Sequence, residues 1–307
     1  MQTKRWYYTM ADYMATIFPG KIQKIAINAN LGCPNRDGTI GTGGCIYCNN
    51  ASFNPAYAHN SKGSITKQLE DGVAFFRKKQ IPYGFLAYFQ SYTNTYADTE
   101  KRIELYEEAL AFPGVVGLVI ATRPDCISNT LVEYFAKRFG NMAPENHPYL
   151  LVEIGVESTC NETLERINRG HTYECAVSAI NTLYNIGVSV GVHIILGLPG
   201  ESREMMLDHA VKISELPIST IKLHQLQIIK DTPLAALYKQ DSNFVKLFTP
   251  EEYAQIVADF IRILPGNIAF DRFVSETPPS MLIAPSWGIK PYKFTEMVEG
   301  CLKPEKL

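Results

Sequence analysis

Three cysteines, Cys33, Cys45 and Cys48, fall within sixteen residues. They follow an apolar run, Ile25 to Leu31, that reads as a strand. The eleven residues between the first two are rich in Pro, Asn, Asp, Thr and Gly, so they read as a loop. Three thiolates at the end of a strand can hold a metal ion or an iron–sulfur cluster. They cannot all pair as disulfides, because one is left over. A closed zinc site needs four ligands, and the nearest histidine, His59, lies eleven residues past Cys48. The Cys-Ile-Tyr-Cys pair alone could be a redox dithiol, which leaves Cys33 without a role. In a 4Fe–4S cluster, three cysteines hold three irons and leave the fourth open, as a catalytic metal requires.

The elements that must position this loop alternate six times. Strands are expected at Lys24–Leu31, Phe85–Phe89, Val115–Ala121, Tyr149–Val156, Val188–Leu196 and Thr220–Ile229. Helices are expected near 64–79, 100–112 (capped by Thr99), 130–139 (capped by Asn129), 162–168, 173–186 and from Ser202 to about 215. Thr249-Pro250-Glu251-Glu252 reads as a capping box opening a further helix to about 264. Such alternation predicts an α/β protein with a parallel sheet rolled into an open or closed barrel. The site then lies at the carboxyl ends of the strands, where the cysteine loop emerges.

Other candidates sit at those same ends. Gln90, Ser91 and Thr93 follow the second strand, and Thr122-Arg123-Pro124-Asp125 follows the third. Pro124 forces Arg123 into an extended conformation, which aims it at the mouth. Strand alternation puts Glu153, Gly155 and Glu157 on one face of the fourth strand. Two carboxylates in an apolar strand are costly to bury unless paired, which invites a functional reading. His193 lies on the fifth strand, before Gly-Leu-Pro-Gly-Glu; Lys222 and His224 share a face of the sixth. That polar pair is the better lumen candidate, because a barrel's outer face packs under apolar helices.

The cysteines, with Tyr47 just before the last, resemble the cluster motif of radical S-adenosylmethionine (SAM) enzymes. The long first gap is similar to that of the YhcC/YtqA-type proteins of that superfamily and, more distantly, the elongator catalytic subunit. Glu153-Ile154-Gly155-Val156-Glu157-Ser158, followed by Asn168-Arg169-Gly170-His171, resembles the SAM site of oxygen-independent coproporphyrinogen oxidase and elongator relatives. The resemblance implies a partial (β/α)6 TIM-like barrel, a 4Fe–4S cluster on Cys33, Cys45 and Cys48, and SAM as cofactor. It implies that Tyr47 packs near the adenine and that the Gln90–Thr93 turn meets the SAM amino group. Glu157 would meet the ribose hydroxyls, Arg169 the carboxylate, and His193 would face the ribose. The reduced cluster would cleave SAM to a 5′-deoxyadenosyl radical that abstracts hydrogen from substrate. An electron donor such as flavodoxin or ferredoxin is implied, and the elongator likeness points to a modified wobble uridine in tRNA, near Lys222 and His224. A small-molecule substrate is the enzyme alternative, and a zinc-stabilised binding protein the non-enzyme one.

The 307 residues, 46% of them hydrophobic, suffice for one large α/β domain. Residues 1–20 read as a lead-in segment, 21–235 as the barrel core and 236–307 as an extension capping the mouth. A net charge of −2 draws no nucleic acid by a global field. No run approaches the ~20 apolar residues of a membrane helix, and no signal core follows the N-terminus. Seven cysteines, an odd number, fit a reducing cytoplasm.

Overall fold

The apolar runs form one parallel sheet in this computed structural model, which describes residues 6–53, 64–77 and 82–303. Its strands are β1 (Ile22–Ile27), β2 (Gly84–Phe89), β3 (Val115–Thr122), β4 (Tyr149–Glu157), β5 (Ser189–Leu196), β6 (Thr220–Gln225) and, after the two-residue β7 (Ile228–Ile229), β8 (Ala269–Arg272). The seven-stranded sheet runs β1-β2-β3-β4-β5-β6-β8, every pair parallel, curled as the half-barrel of a partial TIM fold. The six expected strands are joined by β8, within the 267–274 stretch where the sequence allows one more strand.

One parity of each strand packs outward under the helices. Ile25, Phe85, Leu118, Val152, Val192 and Leu223 belong to this core, buried against α2 (Ile65–Arg77), α3 (Thr99–Leu110), α4 (Asn129–Arg138), α6 (Tyr173–Asn185), α7 (Arg203–Ser214) and α9 (Pro250–Ile263). The other parity faces the lumen. There α1 (Met10–Ile17) inserts Met14 against Leu86, Val119 and Leu151, and Tyr13 donates to Ser189 at the start of β5. The lead-in helix therefore plugs the amino ends of the strands, opposite the cysteine loop.

Four local expectations shift. The first strand, expected to reach Leu31, ends at Ile27. Asp98 and Ser128 cap α3 and α4, one residue before Thr99 and Asn129. Each upstream residue is itself a good cap and is the last extended one, so its neighbour joins the helix. The expected sixth strand ends at Gln225. Beyond it β7 leaves the sheet to pair antiparallel with β9 (Leu282–Ala284), because the extension supplies it a different partner. Ser202 and Thr249 cap as expected, Thr249 in a full capping box with Glu252.

The sheet's two ends are tied together. Lys24 on β1 meets Asp271 on β8 at 2.8 Å across the open side of the half-barrel. The outer edge of β8 is covered by residues 8–9, Phe270 N–H donating to Tyr8 O at 2.9 Å. An exposed strand edge is thereby removed.

Candidate active site

At the carboxyl ends of the strands lies a cavity of about 580 Å3, a size usual for small-ligand sites. Cys33, Cys45, Tyr47, Cys48, Gln90, Thr93, Arg123, Glu153, Glu157, Arg169, His193, Lys222 and His224 all line it. Among the expected residues only Ser91 stays off its wall, buried behind it.

The cysteine loop is bolted to the segment after β4. Ile46 N–H donates to Ile167 O at 3.0 Å, Asn168 Nδ2 to Gly44 O at 2.8 Å, and Asn35 Nδ2 to Asn168 O at 2.6 Å. Arg36 Nη2 donates to Cys48 O at 2.7 Å. Cys45 is buried, and its sulfur receives Asn35 Nδ2 at 3.7 Å and Arg169 Nη1 at 3.5 Å. Burial and the neighbouring Cys45 push the Cys48 thiol up to about 11. A thiol raised in this way is held as a thiolate when a positively charged group binds beside it. Among the described residues no three His, Cys, Asp or Glu side chains are grouped for a single metal ion. His59, the ligand a zinc site would have to recruit, lies outside the described residues.

Two arginines flank the sulfurs. Arg169 Nη2 donates to Gly155 O at 2.6 Å and lies 3.3 Å from Glu157 Oε1. Burial works against the Arg169 charge, but Tyr47, Cys45 and Glu157 hold the guanidinium well above its usual range. Arg123 forks onto Asp125, Nε to Oδ1 at 2.9 Å and Nη2 to Oδ2 at 2.6 Å. Arg169 Nε and Arg123 Nη1 are buried with no partner among the described residues. Each such orphan costs about 1–3 kcal/mol unless a ligand accepts from it. Gly155 keeps the approach open: a Cβ there would lie 2.5 Å from Arg169 Nη2 and 2.7 Å from Glu157 Oε1. Strict alternation breaks at a bulge between Gly155 and Glu157, where Glu157 has φ +67°.

The cavity floor is an ionic layer drawn from six strands. Lys222 Nζ meets Glu153 Oε2 at 2.6 Å, Tyr88 Oη at 2.9 Å and Asp271 Oδ2 at 3.2 Å. Lys24 Nζ lies 3.5 Å from Glu153 Oε1, and His193 Nε2 3.0 Å from Glu153 Oε2. Burial alone would raise the Glu153 carboxyl, but Lys222 and Lys24 hold it well below the usual carboxylate range. Asp271 is lowered too, against burial, by Lys24 and Lys222. His224 is kept neutral by burial and by its neighbours His193, Arg272 and Lys222; its Nδ1 bonds Ser275 Oγ. Ser275 belongs to a strap pinned by β6 and the residues after it: Ser275 N–H donates to Gln225 Oε1 at 2.6 Å and Thr277 Oγ1 to Gln227 Oε1 at 2.7 Å.

Sequence reasoning missed Arg36, Tyr88, Gln225, Gln227, Arg272 and Ser275 as cavity residues, and Asp271 in the floor. Tyr88 shares the Lys222 parity logic on β2 and could have been found by alternation. Asp271 could not, because it reaches Lys222, 49 residues earlier in the chain, only once β8 pairs with β6.

Fold and site together define an enzyme family. Residues 29–213 match the model of the radical SAM superfamily, and residues 218–303 that of the radical SAM C-terminal domain. The chain belongs to the radical SAM superfamily, whose enzymes use a 4Fe–4S cluster and SAM. It is 33% identical to protein YtqA of Bacillus subtilis over 291 residues, 95% of this chain and 88% of that one. It is 27% identical over 186 residues to a tRNA uridine(34) acetyltransferase of Methanocaldococcus jannaschii, covering 60% of this chain and 32% of that protein. The structure of an archaeal Elp3 from Methanocaldococcus infernus, lacking residues 1–46, superposes with a TM-score of 0.63 at 19% identity over 86% of this chain and 59% of that one. This last likeness is one of fold. No helix among the described residues is long and apolar enough to cross a membrane.

Proposed function

We propose that Cys33, Cys45 and Cys48 hold the cluster, that SAM lies between it and the β2–β5 ends, and that the substrate is a modified wobble uridine of tRNA. The observation that carries the cofactor assignment is the meeting, in one cavity, of three cysteines with two arginines that each keep one buried nitrogen, Arg169 Nε and Arg123 Nη1, without an acceptor among the described residues. A carboxylate ligand supplies those acceptors, and a guanidinium fork suits it. Held there, the cluster and SAM would supply the one-electron chemistry by which a hydrogen atom is taken from the substrate. The chain's own residues bind and exclude. Arg169 and Arg123 take the SAM carboxylate, Glu157 the ribose hydroxyls, and Gln90 and Thr93 offer acceptors to the ammonium. Tyr47 borders the adenine. His193 is oriented by Glu153 and faces the ribose. Lys222 and neutral His224 form the wall that the substrate meets, and the Ser275–Pro278 strap keeps water from it.

The tRNA assignment is supported by the likeness to the tRNA uridine(34) acetyltransferase, which matches 60% of this chain. An electron donor of the flavodoxin or ferredoxin class completes the cycle. The test is anaerobic reconstitution, with iron and sulfide content, 5′-deoxyadenosine release under dithionite, and nucleoside mass spectrometry of tRNA from a deletion strain. About four irons per chain, nucleoside release abolished by Cys48→Ala, and an altered wobble uridine support the reading. Zinc without SAM cleavage overturns it; cleavage with unaltered tRNA redirects the search to a small molecule.

A further inference from the structure

Glu157 has an unusual backbone. Its φ is +67°, and Ser158 N–H donates to Val156 O across it at 2.9 Å. An i to i+2 bond around a residue of positive φ is the rare, strained form of γ-turn. A non-glycine residue persists there only where its surroundings over-determine it. The surroundings are a buried polar cluster outside the cavity. Ser158 Oγ donates to Glu201 Oε1 at 2.6 Å and accepts Cys160 N–H at 3.1 Å. His209 of α7 bonds both sides, Nε2 to Glu201 Oε1 at 3.1 Å and Nδ1 to Thr159 Oγ1 at 2.8 Å. The His209 and Glu201 side chains are 1% and 0% exposed.

The turn carrying Glu201 is gripped from its other side. Arg166 Nη1 donates to Pro199 O at 2.7 Å, against Gly200. The turn after β5 is therefore a fixed anchor, and His209 ties the end of β4 to it. Nothing in the cluster lines the cavity. Its geometric product is the direction of the Glu157 carboxylate, which it turns toward Arg169.

We infer that His209 is a positioning residue: through Glu201, Ser158 and Thr159 it holds Glu157 in its strained turn and so shapes the SAM site. The SAM part rests on the function proposed above; the backbone part does not. Three consequences follow for the cluster-loaded enzyme. In His209→Leu, amide hydrogen exchange of residues 156–160 should speed at least 10-fold, with the rest of the sheet unchanged. The SAM dissociation constant should rise about 10-fold at constant iron content. His209→Gln, which retains a donor toward Glu201, should recover part of both.

Glu157→Gly provides the decisive arm, because glycine adopts positive φ without strain. Added to His209→Leu, it should restore slow exchange without restoring SAM affinity. Ser158→Ala, which deletes only one hydroxyl, gives the same reading if His209→Leu does not fold. Unchanged exchange in His209→Leu or Ser158→Ala, or exchange that Glu157→Gly does not slow, overturns the inference. Wild-type enzyme that fails to bind SAM at all overturns instead the function on which its second half rests.

Discussion

Replacing Lys222 with Met removes one charge from the cavity floor and leaves its partners in place. Lys222 Nζ lies 2.6 Å from Glu153 Oε2, the two side chains being 3% and 2% exposed. Removing one partner of a buried pair costs about 3–5 kcal/mol, because the other charge stays buried. Lys24 and His193 still face Glu153, at 3.5 and 3.0 Å. The low end, about 3 kcal/mol, is therefore expected. At about 2 °C per kcal/mol for a chain of this length, Tm falls by about 6 °C. Adding Glu153→Gln neutralises the stranded carboxylate and should recover most of the loss. Anaerobic thermal unfolding of the two single variants and the double variant, at pH 7, makes the comparison. A Tm change within 1 °C for Lys222→Met, or a double variant whose loss equals the sum of the single losses, refutes the ionic-layer argument.

Other expectations concern the same residues. Glu153 titrates lower folded than unfolded, where a carboxyl titrates near ~4.3. Its contribution is complete above that pH and is lost as pH falls below it, so Glu153→Gln should flatten the acid limb of a stability–pH curve. Burial, with Arg169 nearby, lowers His171 to about 3. A histidine that titrates near ~6.5 when unfolded then costs stability as pH falls from that value towards 3; His171→Gln should remove that part of the slope, as urea titrations at pH 7 and pH 5 would show. Gly155→Ala places a methyl 2.5 Å from Arg169 Nη2. It should weaken SAM binding at least 10-fold while leaving far-ultraviolet circular dichroism unchanged; equal affinity would show that the Arg169–Glu157 pair can yield.

Much of the architecture is written locally. The apolar runs, their capping residues and the loop holding Cys33, Cys45 and Cys48 are patterns within a dozen or so residues, and β2 to β5 lie where those patterns put them. Alternation also placed Lys222 and His224 on the lumen side, because Ile221 and Leu223 needed the apolar helix layer. What escaped was whatever depends on strands meeting from distant parts of the chain. The tail's Asp271 reads as an acid in an irregular stretch until β8 pairs with β6 and brings it to Lys24, 247 residues away. β7 reads as a continuation of β6 until β9 offers it another partner. Residues 1–20 read only as a lead-in segment until the half-barrel presents an open amino end for Met14 to fill. The sequence by itself determined the strand–helix rhythm and set three cysteines in one loop, since periodicity and spacing are local properties. Tertiary structure alone decided the charge layer, the plug and the strained turn at Glu157, since ion pairing, cavity filling and backbone strain exist only once non-local elements are in contact.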